Sequence, residues 1–169
     1  MKNTIKLVAV TVLAAGCGGA QKPSTAWNPK AQDELKAQVT QLFHNLDALD
    51  FKGMAAMFDE NPIVFDVDPG NAIVAFYGQK ETMGYVDAFA AGAKQGGLKV
   101  QSTINRVDCE ATDGFGFCTV EFDQMIEMGG QKAGPFKFRG TGVGRKVGGQ
   151  WKWAHWHGSF REAPPAVAK

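Results

Sequence analysis

Apolar residues at Leu35, Val39, Leu42, Phe43, Leu46 and Leu49 recur at helical spacing, which predicts one amphipathic helix over residues 33–49 with Asp33 and Glu34 near its start. A shorter helical piece over residues 51–58 is stopped by Asn61-Pro62. Two short strands are predicted at residues 63–67 and 73–77, joined by the turn Asp68-Pro69-Gly70-Asn71. A second long helix covers residues 79–94 and ends at Gly96-Gly97. Strand-like runs follow at residues 99–111, 115–128, 136–147 and 150–160, connected by Asp113-Gly114, a Gly-rich loop and Gly148-Gly149. Helices followed by a strand meander predict an α+β fold, with the helices packed on one face of a strongly curved antiparallel sheet.

The first 17 residues break this pattern. Lys2 and Lys6 precede an apolar stretch at residues 7–15 that ends in Gly16-Cys17, the build of an export signal. The stretch is well short of the roughly 20 residues that span a bilayer. Its end, Leu13-Ala14-Ala15-Gly16-Cys17, resembles a bacterial lipoprotein signal, which implies cleavage before Cys17 and lipidation of that cysteine. An ordinary secretory signal whose cut falls near Cys17 is the alternative. Acyl chains would hold the protein to a membrane at ~0.8 kcal/mol per buried methylene, so the domain itself needs no membrane-binding surface. The expected organisation is a signal peptide at residues 1–16, a lipid-anchored tether at 17–32, a domain at 33–161 and a tail at 162–169. The tether is rich in Gly, Pro, Ser and Lys, with Trp27 as its one large ring, free to pack back onto the domain or to stay exposed.

Composition narrows the partners. At 169 residues, 44% hydrophobic and 11% aromatic, the chain supports one core and is not intrinsically disordered. Eighteen basic residues against 17 acidic ones give a formal charge of +1, and no basic run is present, which argues against nucleic acid as a partner.

Export places Cys109 and Cys118 where disulfides persist. Asp113-Gly114 is the strongest short hairpin signal, and a two-residue turn there pairs Cys109 with Cys118 at a non-hydrogen-bonded position, with α-carbons ~4.5 Å apart. That lies within reach of a disulfide. The same count sets Val107 against Val120 and Asn105 against Phe122.

The last strand, Trp151-Lys152-Trp153-Ala154-His155-Trp156-His157-Gly158-Ser159-Phe160, carries the candidate chemistry. Strict alternation puts Trp151, Trp153, His155, His157 and Ser159 on one side, and Lys152, Trp156 and Phe160 on the other. A two-residue turn at Gly148-Gly149 sets Gly144 opposite Trp153, Gly142 opposite His155, Gly140 opposite His157, Phe138 opposite Ser159, Thr141 opposite Trp156 and Arg145 opposite Lys152. Three missing side chains beside three large rings suggest a concave face with space above the glycines. Rings folded across the glycines, filling that space, would give the same pattern.

Residues 33–161 resemble the SnoaL-like group of the nuclear transport factor two-like superfamily. The resemblance rests on the first helix, the Asp68-Pro69-Gly70 turn, Gly78-Gln79-Lys80-Glu81 opening the next helix, and the aromatic and His-x-His-x-Ser pattern at residues 151–159. It implies a cone-shaped barrel enclosing a mostly apolar pocket, often in a homodimer formed through the outer side of the sheet. Family members include isomerases, cyclases, dehydratases and pure binding domains, so the fold leaves the reaction open. The preferred expectation is a small apolar or amphipathic ligand, without a cofactor, in a pocket lined by Trp153, His155, His157 and Ser159. The alternative is an isomerase- or cyclase-like enzyme, in which a pocket histidine works with Asp66 or Tyr77. Histidines at i and i+2 share a strand face and suit a metal, but a third ligand is needed: His44 lies opposite its helix's apolar stripe, and the cysteines are expected to form a disulfide, with two free thiols or a metal pair as the rivals, which leaves only unassigned carboxylates. Trp156 and Phe160, on the other side, are expected to meet a second copy, or else the tail or tether.

Overall fold

The computed structural model describes residues 26–67 and 72–162. The signal peptide, Cys17, the tether up to residue 25, the Asp68–Asn71 turn and the tail from residue 163 lie outside the described residues. Three helices, α1 (Pro29–Asp47), α2 (Phe51–Ala56) and α3 (Gly78–Gly96), accompany six strands: β1 (Phe58–Val67), β2 (Ile73–Tyr77), β3 (Lys99–Ala111), β4 (Phe115–Met128), β5 (Gln131–Val147) and β6 (Gln150–Phe160). The strands form one sheet in the order β2-β1-β6-β5-β4-β3, antiparallel except where β1 runs parallel to β6. None of the described helices is long and apolar enough to cross a membrane.

Helix α1 begins four residues before the predicted start. Asn28 accepts hydrogen bonds from the Lys30 and Ala31 amides, and Pro29 opens the first turn, an N-terminal signature the apolar pattern does not contain. Its stripe of Ala31, Leu35, Val39, Leu42 and Phe43 is buried, and His44 faces out as predicted. Strand β1 is five residues longer than predicted because Asn61-Pro62 does not end it. Pro62 lies where the pairing of β1 with β6 shifts register, a place where its missing N–H interrupts no ladder bond. Strand β5 likewise starts at Gln131, after a Gly129-Gly130 turn in which both residues have positive φ.

The β3–β4 register places Cys109 opposite Cys118, joined as a disulfide with α-carbons 4.1 Å apart, and Val107 opposite Val120. Beyond that point a bulge at Asn105 sets Ile104, not Asn105, against Phe122.

A bulge in β6 overturns the predicted faces of the last strand. Gly144 pairs with Trp153 as expected, and Lys152 with Arg145, but Val143 pairs with His155, leaving Ala154 without a partner on β5. The interruption resets the alternation. Trp151 and Trp153 point inward before it; Trp156, Gly158 and Phe160 point inward after it. His155, His157 and Ser159 therefore lie on the outer face. Downstream, Gly142 meets Trp156, Gly140 meets Gly158, Thr141 meets His157 and Phe138 meets Phe160. Trp156 and Phe160 are consequently unavailable to a partner on the outside.

The glycines do form a floor, and indole rings cover it. A Cβ on Gly142 would lie 2.7 Å from Trp153 Cζ3 and 3.0 Å from Trp156 Cε3, and one on Gly144 would lie 2.8 Å from Leu35 Cδ1. Trp153 is 1% exposed. Its ring centre lies 5.8 Å from that of Trp156, and Phe43 joins them from α1 at 6.4 Å from Trp156 and 4.5 Å from Phe122. Gly142→Ala is expected to destabilise the domain by ~1–3 kcal/mol through overpacking. Gly114→Ala, where no neighbour lies within 4 Å, should stay within about 0.5 kcal/mol of the parent; urea unfolding of both variants checks the contrast.

Candidate functional site

The covered glycine floor occupies one end of the sheet's inner face, and a cavity of about 230 Å³ opens at the other. It lies between the helices and strands β4, β5 and β6. Its walls are largely aromatic: Phe43 from α1, Tyr85 and Phe89 from α3, Phe138 from β5, and Trp156 and Phe160 from β6. The stack continues behind them, with Tyr85 against Phe76 at 4.3 Å and Phe138 against Phe160 at 4.7 Å. Among the described residues that line it, Asp66, Gln124, Tyr85 and Trp156 carry polar groups. Gln124 Nε2 donates to Ser102 Oγ at 3.2 Å, and that hydroxyl donates to Asp47 at 2.7 Å, so the amide is tied to the end of α1.

Asp66 reaches the inner face because β1 alternates with Val64 and Asp66 inward and Phe65 outward, paired with His157 across β6. Gly158 makes room for it: a Cβ there would stand 2.6 Å from Asp66 Oδ1. The Val67 amide donates to that oxygen at 2.8 Å. Burial pushes the carboxyl up to about 6, with the Val67 hydrogen bond opposing it weakly. Asp59, at the other end of the same strand, shows the opposite outcome. It is 5% exposed, but Arg145 Nε donates to its carboxylate, and that hydrogen bond holds the group below the usual carboxylate range. The two differ in having or lacking a cation.

Of the predicted pocket residues, only Asp66 lines this cavity. Trp153 is packed into the glycine floor. Tyr77 is 59% exposed on the outer face of β2, edge-on to Phe65 at 6.1 Å, and Phe65 in turn meets the His155 ring at 5.5 Å. His157 and Ser159 lie in an open, polar groove on the outer face with Arg106, Asp108, Glu121 and Arg139, where Arg139 Nε donates to Ser159 Oγ at 3.3 Å. The pairing of a pocket histidine with Asp66 is thus overturned, because the sheet separates them. Among the described residues, no three His, Cys, Asp or Glu side chains group to hold a metal ion. Trp156 and Phe160 were expected on the outer side instead, and Tyr85 and Gln124 were not singled out from the sequence. Tyr85 and Phe89, four residues apart on α3, carried a signal for a shared helix face; Trp156 carried none without the bulge.

The SnoaL-like domain family matches residues 35–162. No curated protein sequence matches the chain. Solved structures share the fold at low identity. An NTF2-like protein of unknown function from Pseudomonas putida KT2440 is 18% identical with a TM-score of 0.64, over 84% of this chain and 96% of that one. A candidate dehydratase of the NTF2-like family from Streptomyces avermitilis is 17% identical with a TM-score of 0.63, over 79% and 98%. A ketosteroid isomerase-like protein from Erwinia carotovora atroseptica is 14% identical with a TM-score of 0.61, over 80% and 99%.

Because the folded state holds the Asp66 proton more tightly than the unfolded chain does, ionisation of this group destabilises the fold. The penalty is absent well below the ordinary Asp value of 3.8, grows as pH rises, and is complete above about 6. Asp66→Asn is therefore expected to be more stable than the parent at pH 8, by up to about 3 kcal/mol, and to lose that advantage near pH 4. Thermal unfolding of both proteins across this range reads the difference.

Proposed function

The chain belongs to the SnoaL-like domain family, and from that premise we propose that it binds a small apolar or amphipathic molecule in the inner cavity. The observation that carries this reading is an aromatic-walled space of about 230 Å³ with a carboxyl group set in its wall. Apolar lining with a few convergent polar groups is the general character of small-molecule sites, and this volume suits a ligand of one or two rings. We propose further that the domain is exported and held to a bacterial membrane by acyl chains on Cys17. The sequence of residues 1–17 supports this, and so does the Cys109–Cys118 disulfide, which fits an oxidising compartment. A homodimer through the outer sheet face is part of the same reading, supported by the exposed Ile63 and Tyr77 side chains beside the half-buried Phe65 and His155 rings.

A second reading is enzymatic, with Asp66 as the group that takes a proton from a bound substrate. Its raised value near 6 favours this, since a general base works best when its pKa lies close to the working pH.

Isothermal titration with 2-naphthylmethanol tests the pocket. Saturable one-to-one binding that quenches tryptophan fluorescence is expected, and Ile126→Trp, which enlarges a side chain of β4 in the cavity wall, should weaken it at least tenfold while circular dichroism stays unchanged. Detergent phase partition tests the anchor: the parent expressed in a bacterial host should enter the detergent phase, and Cys17→Ser should stay in the aqueous one.

A further inference from the structure

We infer that the cavity selects organic cations, and that its ligand is an aromatic or otherwise apolar amine whose ammonium group pairs with Asp66. The inference rests on the small-molecule reading above and adds the ligand's charge to it. Three observations converge. The described side chains that line the cavity include no Lys, Arg or His, so Asp66 has no cationic partner there. This contrasts with Asp59, buried in the same strand and paired with Arg145. An ionised carboxylate removed from water without a counter-charge is costly, and a ligand that supplies the cation removes that cost on binding. The walls reinforce the sign. Phe138, Phe160, Trp156, Phe43 and Phe89 surround the space with aromatic rings, whose faces attract an ammonium group and hold its apolar body. The other polar side chains named there bring no positive charge: Gln124 carries a carboxamide, which donates to Ser102, and Tyr85 a phenol. A carboxylate ligand would meet a like charge with no cation to receive it.

Asp66 pairs with Val74 on β2 and lies over Gly158 of β6, and it shares the cavity wall with Trp156 of β6, Tyr85 of α3, Gln124 of β4 and Phe138 of β5. Tyr85 is the one other titratable group among these described residues, and the β6 histidines lie across the sheet. Amine binding should therefore follow the ionisation of Asp66 itself.

The test compares three ligands of one shape, 2-naphthylmethylamine, 2-naphthylmethanol and 2-naphthoate, by isothermal titration on the purified mature protein. At pH 8 the amine should bind at least tenfold more tightly than the alcohol, and the carboxylate at least tenfold more weakly. Asp66→Asn should abolish the amine's advantage over the alcohol, with an unchanged circular dichroism spectrum showing that the variant is folded. Should that variant fail to fold, the parent at pH 4.5 serves instead, where the amine stays charged, Asp66 takes up its proton and the preference should collapse. Alcohol and amine binding alike at pH 8 would overturn the charge preference and leave the pocket standing. An amine preference that survives both Asp66→Asn and pH 4.5 would overturn the role of Asp66. Failure of all three ligands to bind would overturn the pocket itself, and this inference with it.

Discussion

Trp153 and Trp156 occupy one strand three residues apart, and in a regular strand they would face opposite sides of the sheet. Ala154, unpaired on β5, lets both point inward, and the interior is organised around that fact. The register of β1 against β6 shifts at the same level, between Phe58 and Ile63, so both strands yield together and the sheet bends there. Gly140, Gly142 and Gly144 give the indoles somewhere to lie. A glycine within a strand costs about 0.5–1 kcal/mol, whereas burying a large aromatic side chain returns several times that. The exchange favours the folded sheet only while the rings stay over the bare backbone, which ties strand phase, curvature and core into one arrangement.

The same bulge divides the chemistry of the last strand between two environments. Inside, past the indoles, the surface is largely apolar and aromatic, with Asp66 admitted by the missing side chain of Gly158. Outside, His155 rests against Phe65, and His157 and Ser159 lie among arginines and carboxylates of both signs. An inner acid and outer imidazoles cannot share a substrate. The start of the domain is fixed separately: the Asn28 amide donates to the Ala111 carbonyl at 2.8 Å, the Asn28 side chain donates to Asp113, and Trp27 stands edge-on to Phe117. The chain thus enters the domain at the β3–β4 hairpin, two residues from the Cys109–Cys118 bridge. A membrane tether of the proposed kind would load the domain at a covalently clamped point, away from the cavity.

How far the sequence could be read depended on whether the readable rule was local. Cys109–Cys118 followed from counting outward from Asp113-Gly114 because no bulge intervenes; the same count failed four residues further, at Asn105. The helices were legible from their stripes, yet the start of α1 lay in Asn28-Pro29, outside the stripe. Pro62 looked like a stop and is instead accommodated at a register shift. His155 and His157 were assigned to the wrong face for one reason, an unpaired Ala154, and nothing in Trp-Ala-His distinguishes a bulged strand from a regular one. The cavity was beyond local reading because Phe43, Tyr85, Phe138 and Trp156 meet only when four elements pack.

Asp66 is the one pocket candidate from the sequence that the fold brings to the cavity. On a short strand beside a turn it reads as a surface carboxylate, the ordinary fate of an aspartate. The fold turns it inward, leaves Gly158 bare to receive it, and among the described residues supplies the Val67 amide as donor. A sequence shaped for stability alone would place a hydrophobic residue or an arginine partner there, and β1 shows with Asp59 and Arg145 that such a partner is within its means. Asp66 is half-buried with no cation beside it among the described residues, an arrangement less stable than it needs to be, and such local violations concentrate at functional sites. That argument selects Asp66, rather than the more conspicuous histidines, as the group around which the proposed binding is built.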